Sequence, residues 1–89
     1  MTSKEVTIVN RLGLHARAAA VLVTTAARFS SRVRITRDGR EADAKSIMAV
    51  MLLAAGRGTR VTVSAEGEDE AAALQAIEAL IADRFGEDE

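Results

Sequence analysis

Apolar and polar residues alternate in three β-branched stretches, EVTIV at 5–9, VRITR at 33–37 and RVTVSA at 60–65. Successive side chains of a strand point to opposite faces, which puts Val6 with Ile8, Val33 with Ile35, and Val61 with Val63 and Ala65 on one side of a sheet. Asp38-Gly39 predicts a two-residue hairpin, because a type I′ turn needs positive φ at both central residues. Its second arm is a short strand of about Arg40 to Asp43. Between these pieces the period changes. Ala19, Leu22, Ala26 and Phe29 recur every three or four residues, as do Leu74, Ile77 and Ile81, so each set makes one apolar stripe on a helix. Helices are expected from Ala16 to about Arg28, Ile47 to about Leu53 and Glu70 to about Arg84. Gly56 and Gly58 follow the middle helix and suit the left-handed backbone that ends one. The acidic GEDE at 67–70 suits the start of the last, where free N–H groups favour negative charge.

The resulting order, β-α-β-β-α-β-α, predicts an α/β fold. It is an open-faced two-layer sandwich, with three helices on one face of a four-stranded antiparallel sheet. Residues 1–89 read as a single domain, with no linker or repeat, and the terminal GEDE at 86–89 is expected to fray.

Composition narrows the chemistry. Aromatic residues are 2% of the chain, so the core must be aliphatic and stacking platforms for single-stranded nucleic acid are missing. Without cysteine there is no disulfide, thiol nucleophile or thiolate zinc site, and one histidine cannot supply an imidazole cluster; no metal or cofactor is expected. The longest apolar run, Ile47 to Ala55, is far shorter than the roughly 20 residues of a membrane span. The expectation is a cytoplasmic protein with no membrane insertion. The net charge of −1 conceals a division: residues 1–60 hold 11 Lys and Arg against 4 Asp and Glu, residues 61–89 hold 1 against 9. Such a chain either presents a basic surface to an acidic partner or neutralises itself.

The sole histidine, His15, stands in GLHARAAAV at 13–21, just ahead of the first helix. At an N-cap it lies beside N–H groups, including those of Ala16 and Arg17, that have no intrahelical partner and favour an anion. Gly13 lets the backbone turn before the helix, and Arg17 brings a fixed charge and a fork of donors. Imidazole is easily kept neutral and nucleophilic near pH 7. These groups suit an exposed, shallow site in which His15 is phosphorylated.

GLHAR resembles the active-site signature of the HPr family, the histidine-containing phosphocarriers of the phosphoenolpyruvate-dependent phosphotransferase system. The segment ADAKSIMAVMLLAAGRGTRVTVSAEGEDE at 42–70 is similar to that family's second signature and the stretch after it. The resemblance implies a sheet order of 1-4-2-3, whereas the bare element order suggests a ferredoxin-like one. It further implies that His15 takes a phosphoryl group on Nδ1 from enzyme I and passes it to a histidine of an enzyme IIA, with Arg17 balancing the phosphoryl charge. One departure stands out: Ala18 occupies the place after the arginine where the family usually has proline. Proline suits that first turn because its φ is preset, and alanine, the best helix former, keeps the helix viable without that constraint.

Ser46 precedes the apolar run and reads as an N-cap. The resemblance adds that the matching serine is the target of the regulatory HPr kinase in some bacteria. It also implies an apolar docking patch of Ile47, Met48 and Met51 beside His15, with Val50 and Leu53 left for the core. The protein is then a monomeric carrier and a substrate of other phosphotransferases, with no turnover of its own on a small molecule. Three readings stay open beside this one: a regulatory paralogue of a nitrogen branch without sugar transport, a ferredoxin-like ligand-binding or dimerisation module in which His15 is incidental, and nucleic-acid binding through Arg28, Arg32, Arg34, Arg37 and Arg40, which near-neutral charge disfavours.

Overall fold

The computed structural model describes residues 1–89. Strands β1 (Thr2–Thr7), β2 (Arg32–Arg37), β3 (Arg40–Asp43) and β4 (Arg60–Glu66) form one sheet in the order β1-β4-β2-β3. All neighbours run antiparallel, with Val6 opposite Val61 and Val33 opposite Ala65. This is the order implied by the family resemblance, not the ferredoxin-like one. Helices α1 (Ala16–Ala26), α2 (Ile47–Leu52) and α3 (Glu70–Ala82) cover one face.

Alternation decides which face. Val33, Ile35, Ala42, Val61, Val63 and Ala65 are buried against the helices, whereas the intervening Arg34, Thr62 and Ser64 are half exposed on the open side. Leu22 and Ala26 of α1, Val50 of α2, and Ile77 and Ile81 of α3 complete an aliphatic core. Burying each large side chain contributes about 1.5–3 kcal/mol. Asp38 (φ 49°) and Gly39 (φ 80°) both adopt the left-handed conformation, as the hairpin requires.

Three expectations need correction. The middle helix is ended by Ala54, at φ 52°; Gly56 keeps an ordinary backbone, and Gly58, at φ 88°, is left-handed as expected but lies beyond the helix end. The Arg37 guanidinium donates to the Leu53 and Ala54 carbonyls, at 2.7 and 2.8 Å, and so ties down this helix end. Second, α1 stops at Ala26, before Arg28, and α3 stops at Ala82, before Arg84, because the chain turns sharply through Arg84, Phe85 and Gly86, all with positive φ. That turn drives Phe85 into the core beside α1 and α3. Third, the terminal GEDE is laid back on the domain instead of extending from it. The Phe85 turn sends it back across the molecule, where Glu87 and Glu89 pair with residues 10–17.

Candidate functional site

His15 is the N-cap of α1, with extended backbone (φ −73°, ψ 177°), and its carbonyl accepts from the Ala19 N–H at 2.8 Å. Its imidazole makes no cap hydrogen bond. The ring is therefore left to the surface, where its side chain is 28% exposed. The N–H groups of Ala16 and Arg17 lie in the first helical turn, without intrahelical acceptors.

Gly13 fixes the approach to this helix. At φ +64°, it passes so close to the 55–56 backbone that a Cβ would stand 2.5 Å from the Ala55 oxygen and 2.7 Å from Gly56 Cα. The same Ala55 oxygen accepts from the Leu14 N–H at 2.9 Å. The loop bearing His15 is thus laid against the segment that follows α2. Ala18 is fully buried at the inner side of the helix.

The carboxylate of Glu87 closes the other side. Its Oε2 lies 2.6 Å from His15 Nε2 and 3.2 Å from the Arg17 guanidinium. Its Oε1 accepts from the buried Asn10 side-chain amide at 3.0 Å, and that amide also donates to the Gly13 carbonyl at 2.8 Å. The Asn10 bond, assisted by the His15 and Arg17 bonds, holds the Glu87 carboxyl below the usual glutamate value, against an opposing desolvation effect. An ionised carboxylate accepts only, so Nε2 carries the hydrogen and a neutral ring keeps its lone pair on Nδ1.

Arg11 joins the same surface. Its guanidinium pairs with the Glu89 side chain at 2.6 Å, and its backbone N–H donates to the Glu89 main-chain oxygen. Arg11, Leu12, His15 and Arg17 face Gly86 to Glu89 across an open groove. Asn10, Arg11, Glu87 and Glu89 were not singled out by sequence. The only signal for them was the acidic terminus of a chain whose basic residues lie in its first part.

Ser46 is the N-cap of α2, and its hydroxyl accepts from the Ala49 N–H at 3.3 Å. Ile47, Met48 and Met51 are exposed, as are Leu52 and Leu12, whereas Val50 and Leu53 are buried. No group of three or more His, Cys, Asp or Glu is placed to hold a metal ion, and no helix is long and apolar enough to cross a membrane.

Comparison with known proteins gives a consistent picture. Residues 2–83 match the family described as "PTS HPr component phosphorylation site". The chain is 55% identical over 89 residues to phosphocarrier protein HPr of Cupriavidus necator, covering 100% of both. Among solved structures, HPr-C-His from Thermoanaerobacter tengcongensis superposes with a TM-score of 0.96 at 44% identity, over 100% of each chain. The Bacillus subtilis catabolite repression protein Crh, described as a dimer with an unexpected swapping domain, gives 0.76 at 43% identity, over 94% of this chain and 97% of that one.

Proposed function

The chain belongs to the HPr family of phosphotransferase-system phosphocarriers, and we propose on that premise that it takes a phosphoryl group on His15 from phospho-enzyme I and gives it to a histidine of an enzyme IIA. The contact between His15 Nε2 and Glu87 carries this reading. With Nε2 bearing the hydrogen, Nδ1 is the free nucleophile. Its lone pair forms the new N–P bond as the bond from phosphorus to the donor nitrogen breaks, and the donor imidazole keeps that electron pair. The positive charge left on the His15 ring is balanced by Glu87.

The transferred group then meets the first N–H groups of α1, at Ala16 and Arg17. Arg17 contributes charge as well, since its guanidinium has five N–H donors and only one contact to Glu87 in the resting protein. The Glu87 carboxylate limits how tightly a phosphoryl dianion is held on the same ring. A carrier must release its cargo, so weak stabilisation at an open site suits transfer in both directions.

In this reading the exposed Ile47, Met48 and Met51 form the docking patch for donor and acceptor. Methionine adapts to several partner shapes. Ser46 is the position for regulatory phosphorylation by an HPr-type kinase: phosphate there sits at a helix N-terminus, yet places negative charge beside the patch. The carrier works as a cytoplasmic monomer, without cofactor, in sugar uptake or its regulation.

The test is intact-mass spectrometry at neutral or alkaline pH after incubation with phosphoenolpyruvate and enzyme I from the same organism. One phosphoryl group is expected on the protein, labile in acid and absent from His15→Ala. A protein that stays unmodified, or a His15→Ala variant that is still labelled at the same level, overturns the proposal.

A further inference from the structure

We infer that Arg11 is a second anion-binding residue of the His15 site, which recognises a carboxylate on the partner protein, and that Glu89 is the internal ligand it holds until that partner arrives. The inference rests on the phosphocarrier reading for its partner, though not for its chemistry. Arg11 and Arg17 lie on one groove with His15, and each guanidinium already holds a carboxylate from the chain's own terminus: Glu89 on Arg11 at 2.6 Å, Glu87 on Arg17 at 3.2 Å. The site therefore displays two bound anions, both borrowed from residues 87–89.

The two carboxylates are held very differently. Glu87 is 15% exposed and is bound by Asn10, His15 and Arg17 together. Glu89 and Arg11 are 67% and 63% exposed, and Arg11 is the one side chain that holds the Glu89 carboxylate. A solvent-exposed pair of this kind is worth little, because water and salt screen it, so the Glu89 side chain exchanges for a partner's carboxylate at little cost, and the bond from the Arg11 N–H to the Glu89 main-chain oxygen need not break. Glu87 stays on His15 while Glu89 gives way. Exposed Leu12 lines the same groove, so a partner that replaces Glu89 also meets an apolar side chain.

The two halves of the Arg11–Glu89 pair should then act in opposite directions. Kinetics of phosphoryl acceptance from phospho-enzyme I are measured for wild type, Arg11→Gln and Glu89→Gln, each checked for its fold by circular dichroism. Glu89→Gln frees Arg11, and the KM for phospho-enzyme I is expected to fall by about two- to five-fold, with kcat unchanged. Arg11→Gln removes the cation and is expected to raise KM by a similar factor. Shifts of the same sign for both variants, or none, mean that the pair only fastens the tail and overturn the inference.

If wild type takes up no phosphoryl group, the carrier reading fails by itself. The anion site is then judged by titrating inorganic phosphate while following the Arg11 and Arg17 side-chain N–H resonances. Tighter binding in Glu89→Gln and loss of the Arg11 response in Arg11→Gln sustain it; identical titrations of all three proteins overturn it.

Discussion

The Glu87 carboxylate reaches back across 72 residues to stand 2.6 Å from Nε2 of His15, so the group that orients the imidazole comes from the far end of the chain. Removing its charge while keeping its shape isolates this role. Glu87→Gln is expected to slow phosphoryl acceptance about ten-fold, in keeping with the loss of one charge-assisted hydrogen bond. Rapid-quench kinetics with phospho-enzyme I measure this, and an unchanged rate would remove Glu87 from the chemistry.

The turn that delivers Glu87 depends on Phe85, buried despite a left-handed backbone. Phe85→Ala is expected to cost about 3–5 kcal/mol in urea unfolding. It should also broaden the range of tail conformations, which backbone 15N relaxation of Glu87 and Asp88 reports.

Gly13 holds the histidine loop against α2's exit by close backbone approach at positive φ. Gly13→Ala is expected to destabilise the protein by about 2–4 kcal/mol, combining backbone strain with overpacking. Chemical denaturation checks the energy, and displacement of the His15 ring resonances checks the local consequence.

Ala54 is the converse case, an alanine in the conformation that glycine tolerates best. Ala54→Gly should stabilise the fold by about 0.5–1 kcal/mol, since relief of left-handed strain exceeds the added freedom of the unfolded chain. A lower urea midpoint would contradict this.

Asp69 tethers the loop before β2 to the start of α3. Its carboxylate accepts from the Ser31 hydroxyl and from the Ser30 and Ser31 N–H groups, at 2.9 Å each for the latter two. The hydroxyl bond is the largest cause that lowers its pKa from 3.8 to about 2, with the Ser30 N–H next. A depressed folded-state value means that the ionised carboxylate stabilises the fold above the unfolded value, and that this contribution is lost as pH falls from about 4 to about 2. Ser31→Ala should move the Asp69 titration, followed by carboxyl 13C NMR, back toward its ordinary value and flatten the acid limb of stability.

Local patterning made most of the framework legible. Strand alternation identified Val33, Ile35, Val61 and Val63 as inward residues, and the 3.6-residue period located Leu22, Ile77 and Ile81. The N-cap positions of His15 and Ser46 followed from where apolar periodicity begins. Helix ends were less legible. The backbone at Ala54 is set by the exit of α2, where Arg37 from β2 caps the carbonyls, and neither composition nor spacing records that contact.

The charge division shows the same boundary. Its two halves meet through the Met1 ammonium with Glu70, Lys4 with Glu78, Arg11 with Glu89, Arg17 with Glu87 and Arg34 with Glu66, so four of the eleven Lys and Arg of residues 1–60 pair with the acidic segment. The sequence by itself determined strands, helices, the hairpin and the histidine at a helix start, because each depends on backbone geometry within a few residues. Which carboxylate meets which cation was decided only by the tertiary structure. Phe85 must first be buried and the chain reversed at Gly86 before Glu87 and Glu89 can reach His15, Arg17 and Arg11.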